Sequence, residues 1–181
     1  MLDSQLRTSG VNEPFVLARM KEVAREDFVP ETMRGAAYMD RAIALGEGRH
    51  LAAPLVQGKM LTEARPHAGD DALVVDGGSG YLAELLRPLV GSLTVQSPEE
   101  AIKGRKGGFS LIVIDGATEE IPASLAKRLR DDGRIVTGLV TRGVTRLAVG
   151  RKVGGELSFL PVADIGMPIL AEFNVPKGWS F

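Results

Sequence analysis

The spacing of apolar positions changes character near residue 70. Between Pro14 and Val29, the apolar residues Phe15, Val16, Ala18, Met20 and Val23 recur at helical intervals. Asn12 or Glu13 stands where a cap belongs, so this stretch predicts a helix. Residues 35–50 mix glycine, alanine and charge without a long period, which suits an irregular segment or a short strand. Pro54 to Glu63 again predicts a helix, with Pro54 at its start and Leu55, Met60 and Leu61 as apolar contacts. Beyond residue 70 the apolar runs become short. Leu73–Val75, Leu93–Val95, Phe109–Ile114 and Arg134–Leu139 read as strands, and Tyr81–Leu89 and Pro122–Arg130 as helices between them. Strands alternating with helices indicate an α/β fold with a parallel sheet covered on both faces. The tail, Val144–Val149 and Leu157–Pro161, predicts antiparallel edge strands, with Asp132-Gly133 and Gly154-Gly155 as turn signals.

The most informative stretch is Ala72-Leu-Val-Val-Asp-Gly-Gly-Ser-Gly-Tyr81, an apolar run that stops at a glycine cluster and continues into Leu82–Leu86. Strand, tight turn and helix in that order let a backbone without Cβ atoms approach a nucleotide-like ligand, so a cofactor pocket is expected here. The 181 residues are most simply one domain, with 1–65 as a helical cover and 66–181 as the core. With 22 basic and 23 acidic residues, no global field draws the protein onto nucleic acid or an acidic membrane. The absence of cysteine removes disulfides, thiolate nucleophiles and cysteine zinc sites, and no metal site is expected. The start lacks the basic flank and apolar run of a signal peptide, and no segment reaches the roughly 18 apolar residues of a membrane span. A cytoplasmic protein is the expectation.

Residues 23–60 contain Val23-Ala-Arg-Glu-Asp-Phe-Val-Pro-Glu31, Ala37-Tyr38-Met39-Asp40-Arg41, and Gly46-Glu-Gly-Arg-His-Leu-Ala-Ala-Pro54. This order resembles the N-terminal signature of the protein-L-isoaspartate O-methyltransferases, whose members carry VPRE-x-FVP, AY-x-D and G-x-G-Q-T-I-S-x-P. The likeness continues through Gly78-Ser79-Gly80-Tyr81, where the family reads G-x-G-S-G-Y, and through Glu120-Ile121-Pro122. It implies a Rossmann-like methyltransferase sheet with S-adenosylmethionine as cofactor and isoaspartyl protein or peptide as substrate. Asp76, Gly77, Gly78, Ser79, Gly80, Gln96 and Asp115 are then the cofactor-side residues, and His50, Ala53 and Pro54 the substrate-side ones. Such a pocket holds a sulfonium methyl in line with a carboxylate oxygen, so catalysis is mostly positioning.

The chain departs from the family pattern at three places. Asp76 takes the position of the first glycine of the loop; alternatively it is the acidic residue that many methyltransferases place at the end of this strand. Ala52 stands where the family has its serine, and a methyl group makes no hydrogen bond. Only Pro98–Gly108 separate the second strand from the third, room for one short crossover. The sheet is thus expected to be shortened by one strand-helix unit, including the residues that would flank the adenine. Glu99 or Glu100 is either a replacement acid or a helix-capping residue. These departures motivate a second hypothesis, a catalytically degenerate relative kept as a binding or scaffold protein.

Other constellations carry less. Gly78–Ala83 also fits the dinucleotide pattern G-x-G-x-x-A, with Glu99 roughly 20 residues on. Ser79 does not form a nucleophile elbow, because G-x-S-x-G would need glycine where Tyr81 stands. His67, Arg25-Glu26-Asp27 and Arg128–Asp132 read as solvated surface. Asp115 ends the third strand at the edge where ligands of open α/β sheets bind, and Asp115-Gly116 is also an ordinary turn pair. Trp179 and Phe181 are apolar groups that could dock on the core or on a second copy of the chain, so a homo-oligomer is a candidate partner arrangement.

Overall fold

A computed structural model describes residues 5–175, so Trp179 and Phe181 lie outside the described residues. The order of elements is α1 (Pro14–Glu22), β1 (Ile43–Gly46), β2 (Arg49–Leu51), α2 (Pro54–Ala64), β3 (Asp71–Val75), α3 (Tyr81–Leu86), β4 (Ser92–Gln96), α4 (Pro98–Lys103), β5 (Phe109–Thr118), α5 (Ala123–Ala126), β6 (Leu129–Thr141), β7 (Val144–Val153) and β8 (Glu156–Asp164). Six strands form one sheet in the order β4-β3-β5-β6-β7-β8, parallel through β6 and antiparallel beyond it. Among the described residues β4 is a free edge, so a shortened methyltransferase-type sheet is what forms: the crossover Pro98–Gly108 returns directly through α4, and no described strand lies outside β4.

Alternation along the central strands divides the core between the two faces. Ala72, Val74, Leu111 and Val113 pack with α1, α2 and α3, whereas Leu73, Val75, Ile112 and Ile114 pack with the short α4 and α5. The first face is the thicker. Val56, Met60, Leu61 and Ala64 line the buried side of α2, and Gly58 admits Val11, Leu6 and Met20 where a Cβ would stand 3.2 Å from Val11. The second face is thin and is completed by Leu170 and Phe173 from the segment after β8.

At the amino ends of the strands, Asp70 accepts from Arg134 at 2.6 Å, from the Ser110 hydroxyl at 2.6 Å and from the His67 amide at 3.0 Å. Burial pushes this carboxyl up, but the Arg134 and Ser110 hydrogen bonds outweigh burial and hold it below the usual range. Arg134 also donates to Ala64 O, tying the end of α2 to the sheet. The His67 side chain is exposed, as expected, with Nδ1 accepting from the Gly69 amide.

Several expectations are corrected. The first helix stops at Glu22, because Val23 and Ala24 are extended and Arg25 turns inward. Glu13 is the N-cap residue there but makes no side-chain capping bond. Arg25 is not solvated: it is fully buried. α3 ends at Leu86, and Pro88 sits in a separate tight turn at Arg87–Leu89. The helix expected over Pro122–Arg130 shrinks to Ala123–Ala126 because Arg128 turns inward, donating to Lys106 O at 2.7 Å and Ala101 O at 2.7 Å. Arg128 is therefore buried too, and β6 begins at Leu129. Asp132-Gly133 is an irregularity within β6, with Asp132 at φ 63°, rather than a chain-reversing turn. Gly154-Gly155 does reverse the chain, between β7 and β8.

Candidate functional site

The glycine turn after β3 is clamped from two sides. A Cβ on Gly77 would overlap the Asp115 carbonyl oxygen inside β5, so only glycine lets the turn lie against that strand. Asp115 neither ends its strand nor forms a turn with Gly116, because β5 runs on to Thr118. On the other side, the β1–β2 hairpin reverses through Glu47 (φ 51°) and Gly48 (φ 74°), and Arg49 lies over Gly78, where a Cβ would stand 2.6 Å from its side chain. The His50 amide donates to Gly77 O at 3.4 Å. Asp76 closes the turn from within: its backbone amide donates to Gln96 O at 2.8 Å, and its carboxylate accepts from the Gly80 amide at 2.9 Å. The Ser79 hydroxyl accepts from the Tyr81 amide at 3.2 Å, a local helix-start role.

Beside the turn lies a buried polar chain. Arg25 donates to Ala37 O (2.8 Å), to Gln57 Oε1 (2.5 Å) and to Ala52 O (2.8 Å), and its guanidinium lies 4.8 Å from the centre of the Tyr81 ring. Gln57 in turn donates to Asp115 Oδ2 at 3.3 Å. Among the described residues Asp115 Oδ1 is buried without a partner, and so is Gln96 Oε1 at the end of β4. Burial, with the Asp76 charge as a second cause, pushes the Asp115 carboxyl up to about 7 against the opposing effects of Gln57 and Arg25.

This has a consequence for stability. Between about pH 4 and 7 the native Asp115 retains a proton that the unfolded chain, with its carboxyl near 3.9, has released. Asp115 therefore makes stability fall as pH rises through that window, with a slope of up to about 1.4 kcal/mol per pH unit. Asp115→Asn is expected to flatten that fall and to leave the variant more stable than the parent at pH 8. Urea unfolding at pH 5 and pH 8 checks it, and an unchanged difference between the two would refute the assignment.

Asp76, Gly77, Gly78, Ser79, Gly80 and Asp115 thus come together, with Gln96 paired beside Val75 on the neighbouring strand. Glu100 forms a capping box with Ser97, which assigns it to the helix start rather than to ligand. His50 folds back on its own hairpin, with Nδ1 3.1 Å from Gly48 O. Ala52 is buried, and Pro54 starts α2. Ala53 opens onto a separate cleft of about 250 Å³ that includes Asp40, Arg41, Ile165 and Gly166. Next to the turn is a small cleft of about 110 Å³ lined by Arg49, Asp76, Gly77, Pro98, Ile169 and Leu170, among others. Sequence reasoning missed Gln57, a polar residue on the apolar side of α2, and Arg25, whose place in the VPRE-like motif was the available signal. Nothing in the local pattern pointed to Ile169 and Leu170.

A parallel sheet whose first strand runs into a clamped glycine turn, with unpartnered acceptors on the two flanking strands, defines a nucleotide-cofactor α/β domain of the methyltransferase type. The sequence model of the Protein-L-isoaspartate(D-aspartate) O-methyltransferase (PCMT) family matches residues 1–103. The Protein-L-isoaspartate O-methyltransferase 2 of Anaeromyxobacter sp. is 33% identical over 82% of this chain and 72% of its own length. The enzyme of that family name from Methanoculleus marisnigri is 27% identical over 99% of this chain and 92% of its own. Among solved structures, one from Plasmodium falciparum, described as a protein-L-isoaspartate O-methyltransferase in complex with S-adenosyl-L-homocysteine, aligns with a TM-score of 0.72. It covers 92% of this chain and 95% of that one at 17% identity, a likeness of fold. The chain belongs to the protein-L-isoaspartate O-methyltransferase family.

The residues present fit S-adenosylmethionine, the cofactor of that family. Buried acceptors without partners, Gln96 Oε1 and Asp115 Oδ1, flank the turn and suit hydroxyl or ammonium donors. The turn itself has no side chain at Gly77, Gly78 or Gly80 to fend off a ligand.

Proposed function

We propose that the protein methylates the abnormal α-carboxylate of L-isoaspartyl residues in damaged protein chains, using S-adenosylmethionine. The observation that carries this reading is the clamped glycine turn between two buried, unpartnered acceptors in a chain of this family. Bound there, the cofactor supplies an electron-poor methyl group on a sulfonium, which a carboxylate oxygen accepts without the help of an acid or base. The protein's part is placement and exclusion of water. Gln96 holds ribose hydroxyls, Gly77–Gly80 provide the close backbone approach, and the Arg25–Gln57 pair fixes Asp115 beneath them. Ala53 faces the acceptor in this reading, and the cleft of Ala53, Asp40 and Arg41 receives the peptide flanking the damaged residue. Pro54, buried at the start of α2, and His50, folded back on its hairpin, do not line that cleft. Among the described residues no helix is long and apolar enough to cross a membrane, and the cysteine-free chain works in the cytoplasm in this reading.

Ala52 favours the second reading, a cofactor-binding protein without transfer, because its methyl group replaces a hydroxyl in the family motif. Transfer of labelled methyl from S-adenosylmethionine to an isoaspartyl peptide, with the matching aspartyl peptide as control, decides between them. Base-labile ester on the isoaspartyl peptide alone is the expected result. Tight cofactor binding with no ester on either peptide would establish the binding protein instead.

A further inference from the structure

The segment after β8 returns to the site. Ala117 pairs with Gly138 of β6 on one side, so its parallel bridge to Ile169 lies on the other, the side that β3 occupies until it ends at Val75. The Ala117 amide donates to Pro168 O at 2.7 Å and the Leu170 amide donates to Ala117 O at 2.9 Å. Upstream, the Met167 amide donates to the Thr145 hydroxyl, which itself donates to Ile165 O. This strap sits on two glycines. A Cβ on Gly116 would stand 2.7 Å from Leu170, and one on Gly138 would stand 2.8 Å from Met167 Sδ. Its last turn, Ala171–Phe173, packs on α4, the crossover left where the chain lacks a strand-helix unit outside β4.

We propose that Ile169 and Leu170 of this strap, facing Pro98 of α4, form the adenine-side wall of the cofactor cleft, replacing the wall that the shortened sheet no longer supplies. The inference rests on the cofactor reading above and names residues that neither the family match, which ends at residue 103, nor the sequence pattern assigns. The cleft lining is of two kinds: charged groups at Glu47, Arg49, Asp76 and Glu172, and an apolar set of Pro98, Ile169 and Leu170. The charged amino-acid end of S-adenosylmethionine suits the first, and its flat purine suits the second, where apolar contact on both faces removes the most surface from water. The cleft holds about 110 Å³, below the roughly 300 Å³ at which pockets for ligands of cofactor size begin. Entry of the whole cofactor therefore requires the cleft to widen. Ile169, 47% exposed, is the part of the strap free to yield, whereas Leu170 and Phe173 are anchored in the core.

Calorimetric titration with S-adenosylhomocysteine tests the wall without requiring turnover. Ile169→Asp places a charge on the apolar face, yet Ile169 is exposed enough for the fold to tolerate it. Ile169→Ala serves as a second variant should the aspartate lower the melting temperature of the free protein. Leu160→Asp on the far edge strand, where Leu160 is 68% exposed, is the control. The expected result is at least a tenfold weaker Kd for Ile169→Asp, a smaller loss for Ile169→Ala, and parental affinity for Leu160→Asp. If the parent binds and both Ile169 variants bind equally well, the wall assignment is overturned while the cofactor reading stands. If the parent itself shows no binding up to millimolar ligand, the cofactor reading fails and the wall with it.

Discussion

Arg25→Ala is expected to cost on the order of 3 kcal/mol or more of stability, a large share of what a domain of this size has. One side chain satisfies three buried acceptors on three separate segments: Ala37 O before β1, Ala52 O between β2 and α2, and Gln57 within α2. Truncation leaves these acceptors unpartnered away from water, at about 1–3 kcal/mol for each such group. It also removes the guanidinium from the Tyr81 ring, which packs edge-on against Phe28 with ring centres 5.2 Å apart. Gln57 then loses one of its two side-chain partners and no longer fixes Asp115. Denaturant unfolding with circular dichroism measures the loss. Arg25→Lys is expected to recover only part of it, because an ammonium cannot reproduce the planar fork that reaches all three acceptors. A variant within 0.5 kcal/mol of the parent, about the size of an ordinary surface substitution, would show that this network is not holding the cover onto the sheet.

Gly77→Ala has the largest expected effect on the cofactor site. The added Cβ would overlap the Asp115 carbonyl oxygen, a backbone atom within β5, so the strain cannot be relieved by a side-chain rotation. The turn must lift away from β5, and the fit between Gly77–Gly80 and Asp115 is lost. S-adenosylhomocysteine affinity is expected to fall by at least tenfold, alongside a stability loss of about 1–3 kcal/mol. Gly80→Ala is the informative comparison. At φ 73° it carries backbone strain of about 1 kcal/mol, yet nothing lies within 4 Å of the added atom. It should destabilise modestly and leave most of the affinity. Equal losses of affinity at the two positions would mean that flexibility, not the close approach of Gly77 to β5, is what the turn supplies.

The legible parts of the fold were those set by short-range pattern. Leu73–Val75, Leu93–Val95 and Phe109–Ile114 are short, mostly apolar runs broken only by Thr94 and Ser110, and each lies within a strand of the parallel sheet. The glycine turn was readable because its conformation is demanded locally: Gly78 (φ 109°) and Gly80 (φ 73°) stand where other residues are strained. The shortness of Pro98–Gly108 was enough to remove a strand, since a parallel crossover needs roughly ten residues. Charged residues were misread for the opposite reason. Arg25 and Arg128 stand among other charges in the sequence, and only the carbonyl groups of distant segments make their burial favourable.

The chain's sequence by itself determined the sheet class, its missing outer unit, the glycine turn and the family to which its ordered motifs belong. Each of these depends on spacing within about 30 residues or on matched motifs. The tertiary structure alone decided that Arg25, Gln57 and Asp115 form one buried chain, that Asp76 closes its own turn, and that the strap at Ile169 and Leu170 borders the cleft. Those partners are far apart in the chain or depend on a backbone path through space. Their interactions are specified by burial and by which carbonyl groups remain unpaired once the sheet has formed, quantities that no local pattern of residues carries.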